Sequence, residues 1–204
     1  FPEWYATLFS GFYLALLLIL LALIARGVSF EYRHQRDSVQ WRRRFDTMIV
    51  VGSALPALLW GVAVGNIVQG VPIGPDYEFT GSLLTLLNPY GLWVGATTLM
   101  LFFLHGVYFV GLKTDGQVHH DAQALGKKLA LPTVVLAAGT VVWTIAIAAG
   151  REAPLLSAVI VCGAVAAVAL LASVLFNWID RDGRAFAAGA VTIVFAVLTL
   201  WLAL

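Results

Sequence analysis

The sequence predicts an all-α fold, a polytopic bundle of six transmembrane helices, and three observations carry that prediction. Of the 204 residues, 61% are hydrophobic and 11% are charged, with a mean hydropathy of +0.91. Soluble domains carry about 25% charged residues, so this chain could not clothe a water-facing surface. The apolar residues also fall into six runs that contain no Lys, Arg, Asp or Glu. Each is long enough to cross a hydrocarbon core about 30 Å thick at about 1.5 Å per helical residue. Finally, the basic residues crowd into alternate connections between the runs.

The first run, 6–25, is too long for a signal peptide and has no basic leader, so Phe1 is expected to be an internal start of a processed or longer chain. The later runs are 47–68, 92–112, 129–149, 155–179 and 186–204, and together they predict one integral-membrane domain over 1–204. The connections 26–46, 69–91, 113–128, 150–154 and 180–185 hold six, no, three, one and two basic residues. Basic residues are retained on the cytoplasmic side during insertion. The alternation therefore puts 26–46, 113–128 and 180–185 in the cytoplasm. It puts the Phe1 end, and the loop with Asp76 and Glu78, outside. Trp4, Tyr5, Trp41, Tyr77, Tyr90 and Trp93 fall near the expected interfaces, where amphipathic aromatics collect. Pro56 is tolerable inside a span if neighbours satisfy the freed carbonyl. Gly61 with Gly65, and Gly91 with Gly95, have the spacing that lets helices approach closely. Cys162 is the single cysteine, so no internal disulfide can form.

Few residues offer chemistry. Arg26 ends the first run and reads either as a topology anchor or as a contact to a carboxylate or propionate of a buried partner; Glu31, Arg33 and Asp46 share its loop. Arg42, Arg43 and Arg44 read as an orientation determinant compatible with anionic lipid headgroups. His105 is the only histidine inside a run and needs a hydrogen-bond partner there. It reads as structural, with haem ligation or proton relay as the functional alternatives. Met100 shares its run and Met48 lies at the end of another, so neither can face it across a ring. His119, His120 and Asp121 read as a solvated loop with poor metal-ligand spacing. Asn66 and Gln69 close the second run, with Gly70 as a stop; Asn88 reads as a cap for a helix with Pro89 in its first position. No Walker, CxxC, HExxH or dinucleotide motif is present. These residues alone name no reaction.

Five segments in this order resemble one family. They are Phe9-Ser10-Gly11-Phe12-Tyr13, the stretch from Arg26 to Arg33, Trp41-Arg42 with Asp46, Gly65-Asn66 with Gln69-Gly70-Val71-Pro72, and Leu87-Asn88-Pro89-Tyr90-Gly91-Leu92. Together they look like subunit II of the bacterial cytochrome bd-type quinol oxidases, closely up to about Lys113 and by helix spacing beyond it. The resemblance implies a nine-helix subunit of two four-helix bundles plus one helix, with this chain as its third to eighth helices. The first two helices, with acidic residues and a tryptophan-containing stretch of a proton path, would then be missing, as would the ninth. The outer loop 150–154 is also shorter than in some relatives.

The same resemblance implies a respiratory quinol:dioxygen oxidoreductase in a bacterial cell membrane, with haem b and haem d in a partner subunit I. No catalytic residue, metal or cofactor would be ligated by this chain. A quinone could sit in a lipid-facing cleft, and small accessory subunits and membrane lipids would be partners; nucleic acid would not. Arg26, Glu31, Arg33, Asp46 and His105 are then candidates for a proton path or partner contact. Asn66, Gln69 and Asn88 are quinone-site or helix-end candidates. A polytopic transporter, or an assembly subunit of another membrane complex, are the alternatives. Ion-coupled transporters place charges or broken helices at mid-membrane, and these six runs hold no charge.

Overall fold

The computed structural model describes residues 2–76 and 78–204, with side chains from Tyr5 onward; Phe1, Tyr77 and the side chain of Trp4 lie outside the described residues. Its elements are α1 (Pro2–Tyr32), α2 (Val39–Gln69), α3 (Leu83–Leu86), α4 (Pro89–Lys113), α5 (Gly116–Gly150), α6 (Leu156–Trp178) and α7 (Asp182–Leu202). All but α3 are long and apolar enough to cross a membrane. The sole β feature among the described residues is a bridge between Ile73 and Phe79. The chain is thus an all-α, multi-pass membrane protein.

The helices outrun the apolar stretches that seeded them. Backbone hydrogen bonding does not stop where the hydrocarbon does, so α1 continues past Arg26 to Tyr32. The larger correction concerns α5. The expected loop 113–128 is helical from Gly116, which places His119, His120 and Asp121 on a helix. Val118, Ala122, Leu125 and Leu129 recur there at helical spacing, an amphipathic stripe masked by the surrounding charges. α7 likewise begins at Asp182, whose carboxylate in the first turn favours the positive end of the helix dipole. α2 ends at Gly70, which adopts a φ of +88°, a conformation that costs glycine little.

Small and hydroxyl-bearing side chains share the interior with large ones such as Tyr90, Leu104 and Leu170, while many other large apolar side chains point outward. Ala15, Ala22, Ala63, Ala166 and Ala185 are buried, whereas Leu20, Leu21, Ile24, Val142 and Trp201 are exposed. Lipid solvates leucine as well as protein does, so burial there rewards close packing instead. Thr133, Thr144, Thr192 and Thr199 are buried, and each hydroxyl donates to the carbonyl four residues earlier at 2.7–2.9 Å. These four hydroxyls need no water.

Contacts divide the chain into two compact units, Phe1–Asn66 with Gly70–Gly95, and Ile67–Gln69 with Ala96–Leu204. In the first, α1 crosses α2 at Gly52, where an added Cβ would stand 2.7 Å from the Ala22 carbonyl oxygen. α2 also meets the first turns of α4 through Gly65, Gly91 and Gly95; a Cβ on Gly65 would lie 3.2 Å from the Gly91 Cα. In the second unit, Leu101, Leu104, Tyr108, Leu170 and Ala185 form the core, flanked by Leu129, Phe176 and Phe186.

Candidate functional site

At the α1–α2 turn the polar candidates separate. Arg33 pairs with Asp46, Nε to Oδ1 at 2.5 Å, and the hydrogen bond first, then the carboxylate charge, raise the Arg33 pKa above its ordinary value. Trp41 Nε1 donates to the Tyr32 carbonyl at 2.8 Å, and the Arg36 guanidinium lies 4.5 Å over the Trp41 ring. Arg42 pairs with Asp37 at 2.8 Å. These contacts close the turn. Arg26 stays out of them: it is exposed, its guanidinium 5.6 Å over the Phe30 ring. Neither Arg26 nor Glu31 forms an ion pair among the described residues.

The second group is brought together tightly. Asn66 is 3% exposed, and its Nδ2 donates to the Val62 carbonyl at 2.8 Å and the Leu86 carbonyl at 2.6 Å. Its Oδ1 accepts from Asn88 Nδ2 at 2.7 Å. Asn88 Oδ1 in turn accepts from the Gly91 amide at 2.7 Å, capping the first turn of α4 behind Pro89. Asn66 therefore ties α2 to the end of α3 and, through Asn88, to the start of α4. Such a network is rigid because every amide group in it is occupied. The exposed Gln69 contributes its backbone carbonyl instead, to Arg151.

His105 lies on α4 with its ring stacked on Phe186, centroids 4.4 Å apart and planes 21° apart. Its Nδ1 is buried without a hydrogen-bond partner. The partner expected for His105 is therefore absent among the described residues. A haem ligand needs an open plane in front of a ring nitrogen. Here Phe186 covers one face of the imidazole, and a Cβ on Gly189 would stand 3.0 Å from Nδ1. Met100, on the same helix, cannot bracket a macrocycle with it. With Nδ1 closed by α7 and Met100 unable to face it, the described residues offer His105 no opposing axial ligand.

Two polar clusters were not legible in the sequence. In the first, Asp182 of α7 accepts from Gln123 Nε2 of α5 at 3.3 and 3.4 Å, and His119 Nε2 lies 3.9 Å from its Oδ2. His119 Nδ1 is 2.8 Å from the Gly111 carbonyl oxygen. A carbonyl can only accept, so Nδ1 carries the proton. Asn177, 2% exposed, packs on Gly126, and Lys127 approaches Asp180 at 3.5 Å. In the second, the Arg151 guanidinium donates to the Val68 carbonyl at 2.6 Å and to the Gln69 carbonyl, capping the C-terminus of α2. Their only sequence signals were a histidine on an amphipathic stripe and one arginine against the charge alternation.

The whole chain, residues 1–204, matches the family model of cytochrome bd terminal oxidase subunit II. It is 38% identical over 146 residues to the cytochrome bd-I ubiquinol oxidase subunit 2 of Escherichia coli K12, covering 70% of this chain and 38% of the relative. It is 35% identical over 129 residues to the cytochrome bd ubiquinol oxidase subunit 2 of Bacillus subtilis 168, covering 63% and 38%. A probable cytochrome oxidase subunit 2 of Haemophilus influenzae is 37% identical over 146 residues, covering 70% and 39%. The chain thus spans about two fifths of the length of the curated relatives it matches. Six membrane-length helices, small-residue helix crossings and a match along its full length together place this chain in the cytochrome bd terminal oxidase subunit II family.

Proposed function

We propose that the chain forms part of subunit II of a bacterial respiratory quinol:dioxygen oxidoreductase, seated in the cell membrane beside a haem-bearing subunit I. The observation that carries this reading is the family match across residues 1–204. The surroundings of His105 support the same division of labour, because its Nδ1 is closed by α7 and no second axial ligand faces it among the described residues. In this reading haem b and haem d belong to the partner, and this chain supplies helices that complete the membrane assembly. Small accessory subunits and quinol are further partners. Arg26 and Glu31, exposed and unengaged, are the surface offered to subunit I or to protons. The tight Asn66–Asn88 junction holds the ends of α2 and α4 in place, beside any quinone that binds there.

The test is to purify the full-length subunit with its partners and record the visible spectrum. Haem b and haem d bands should co-purify. His105→Ala should leave every band in place, at most weakening assembly by less than the ~2–5 kcal/mol of a fully buried large side chain, because His105 is half-buried. Selective loss of one band from an otherwise intact complex would show that this chain ligates a haem.

A further inference from the structure

An open groove of about 500 Å³ runs along the second unit between α4 and α5. Phe102, Phe103 and Val110 of α4 and Val118 and Leu125 of α5 give it apolar walls, and Gly106 lies in its floor. One ionisable group stands among them, Asp121. Its Oδ1 accepts from Gln117 Nε2 at 2.8 Å, and among the described residues no basic side chain pairs with it.

The size limits the occupant. A helix about 10 Å wide with a 5.4 Å pitch fills roughly 420 Å³ per turn, so the groove would hold little more than one turn of a docked helix. A single flexible hydrocarbon chain fits the same space along its length. The charge limits it further. Asp121 is exposed at the groove, so a purely hydrocarbon occupant would leave its charge unanswered, and its carboxylate would repel an anionic headgroup. An amphiphile with an apolar chain and a cationic hydrogen-bond donor satisfies both parts.

We propose that this groove is a binding site for an aminophospholipid, one acyl chain lying between α4 and α5 and the ammonium group on the Asp121 carboxylate. The site needs only the membrane setting and does not depend on the oxidase reading. Gly106 is open to the groove, since a Cβ there would meet nothing within 4 Å.

The experiment uses the full-length subunit, delipidated in mild detergent and offered phosphatidylethanolamine or phosphatidylglycerol with identical acyl chains, with retained lipid read by native mass spectrometry. The wild type should retain phosphatidylethanolamine over phosphatidylglycerol by about fivefold, the scale of one partly exposed ion pair. Asp121→Asn should bring the two lipids within about twofold of each other while leaving the chain site intact. Gly106→Leu, whose Cβ meets nothing within 4 Å and whose side chain extends into the groove, should lower retention of both by about tenfold. Equal retention by the wild type, an unchanged Gly106→Leu variant, or recovery of a quinone from the groove in place of phospholipid would each overturn the proposal. Should Gly106→Leu fail to fold, the Asp121→Asn comparison decides alone.

Discussion

Arg26 and Arg33 lie seven positions apart near the end of α1, yet their surroundings make opposite demands. Arg33 is engaged inside the chain by Asp46, so its charge is already answered and its geometry fixed. The Arg26 guanidinium lies over the Phe30 ring and makes no hydrogen bond among the described residues, so on the proposed function its N–H groups are open to a planar acceptor on subunit I. A lysine keeps the charge but loses the fork. Arg26→Lys should therefore leave the thermal stability of the isolated chain within about 0.5 kcal/mol; on the proposed function, the complex with subunit I should dissociate more readily and oxidase activity should fall. A complex as tight and active as wild type would reduce Arg26 to a topology anchor. Arg33→Lys should do the reverse, loosening the α1–α2 turn only slightly because water still reaches the pair.

Among the elements, the packing of α2 on the first turns of α4 can be broken at one atom. A Cβ on Gly95 would stand 2.7 Å from Val62 Cγ2 and 2.8 Å from the Leu58 carbonyl oxygen. The second contact is backbone and cannot rotate away. Gly95→Val should cost about 1–3 kcal/mol, seen as a lower midpoint in thermal unfolding of the purified subunit. Gly27→Ala, where a Cβ meets nothing within 4 Å, should be neutral or stabilising by about 0.5–1 kcal/mol, since it only removes the helix penalty of glycine. Equal losses from both variants would show that the close approach at Gly95 does not hold these helices together.

The six spans could be read from the chain because charge is excluded from hydrocarbon, and its absence marks a span residue by residue. The helix ends could not. Nothing in the lipid requirement stops a helix at the membrane surface, so 116–128 looked like a loop while its stripe of Val118, Ala122 and Leu125 continued α5. Asn88 as a cap followed from the Asn-Pro pair alone. That its amide reaches Asn66, 22 positions earlier, depends on how α2 and α4 are packed. The same holds for Gln123 and Asp182, 59 positions apart: each looks like an ordinary surface residue until the helices are assembled.

For the whole molecule, the charge alternation makes a topological claim that a label can check. In a chain of native cysteine content reduced to none by Cys162→Ala, single cysteines at Asp76 and at Gln117 should react with a membrane-impermeant reagent from opposite sides. Asp76 should be reached from outside intact cells and Gln117 only after the membrane is opened. Both reacting from one side would dismantle the six-span arrangement and with it the assignment of 26–46, 113–128 and 180–185 to the cytoplasm.

Arg151 is the one basic residue that breaks the alternation, and its guanidinium closes the end of α2 from 83 positions downstream. That separation is also a delay. At a synthesis rate of about 5–20 residues per second, the Val68 and Gln69 carbonyls emerge roughly 4–17 s before the group that will cap them. During that interval they can be satisfied only by water or lipid headgroups, so the last turn of α2 is born frayed and becomes permanent when α5 has been threaded through the membrane. The arginine acts as a latch set late, and the order in which the ribosome delivers the helices decides when the end of α2 is finished.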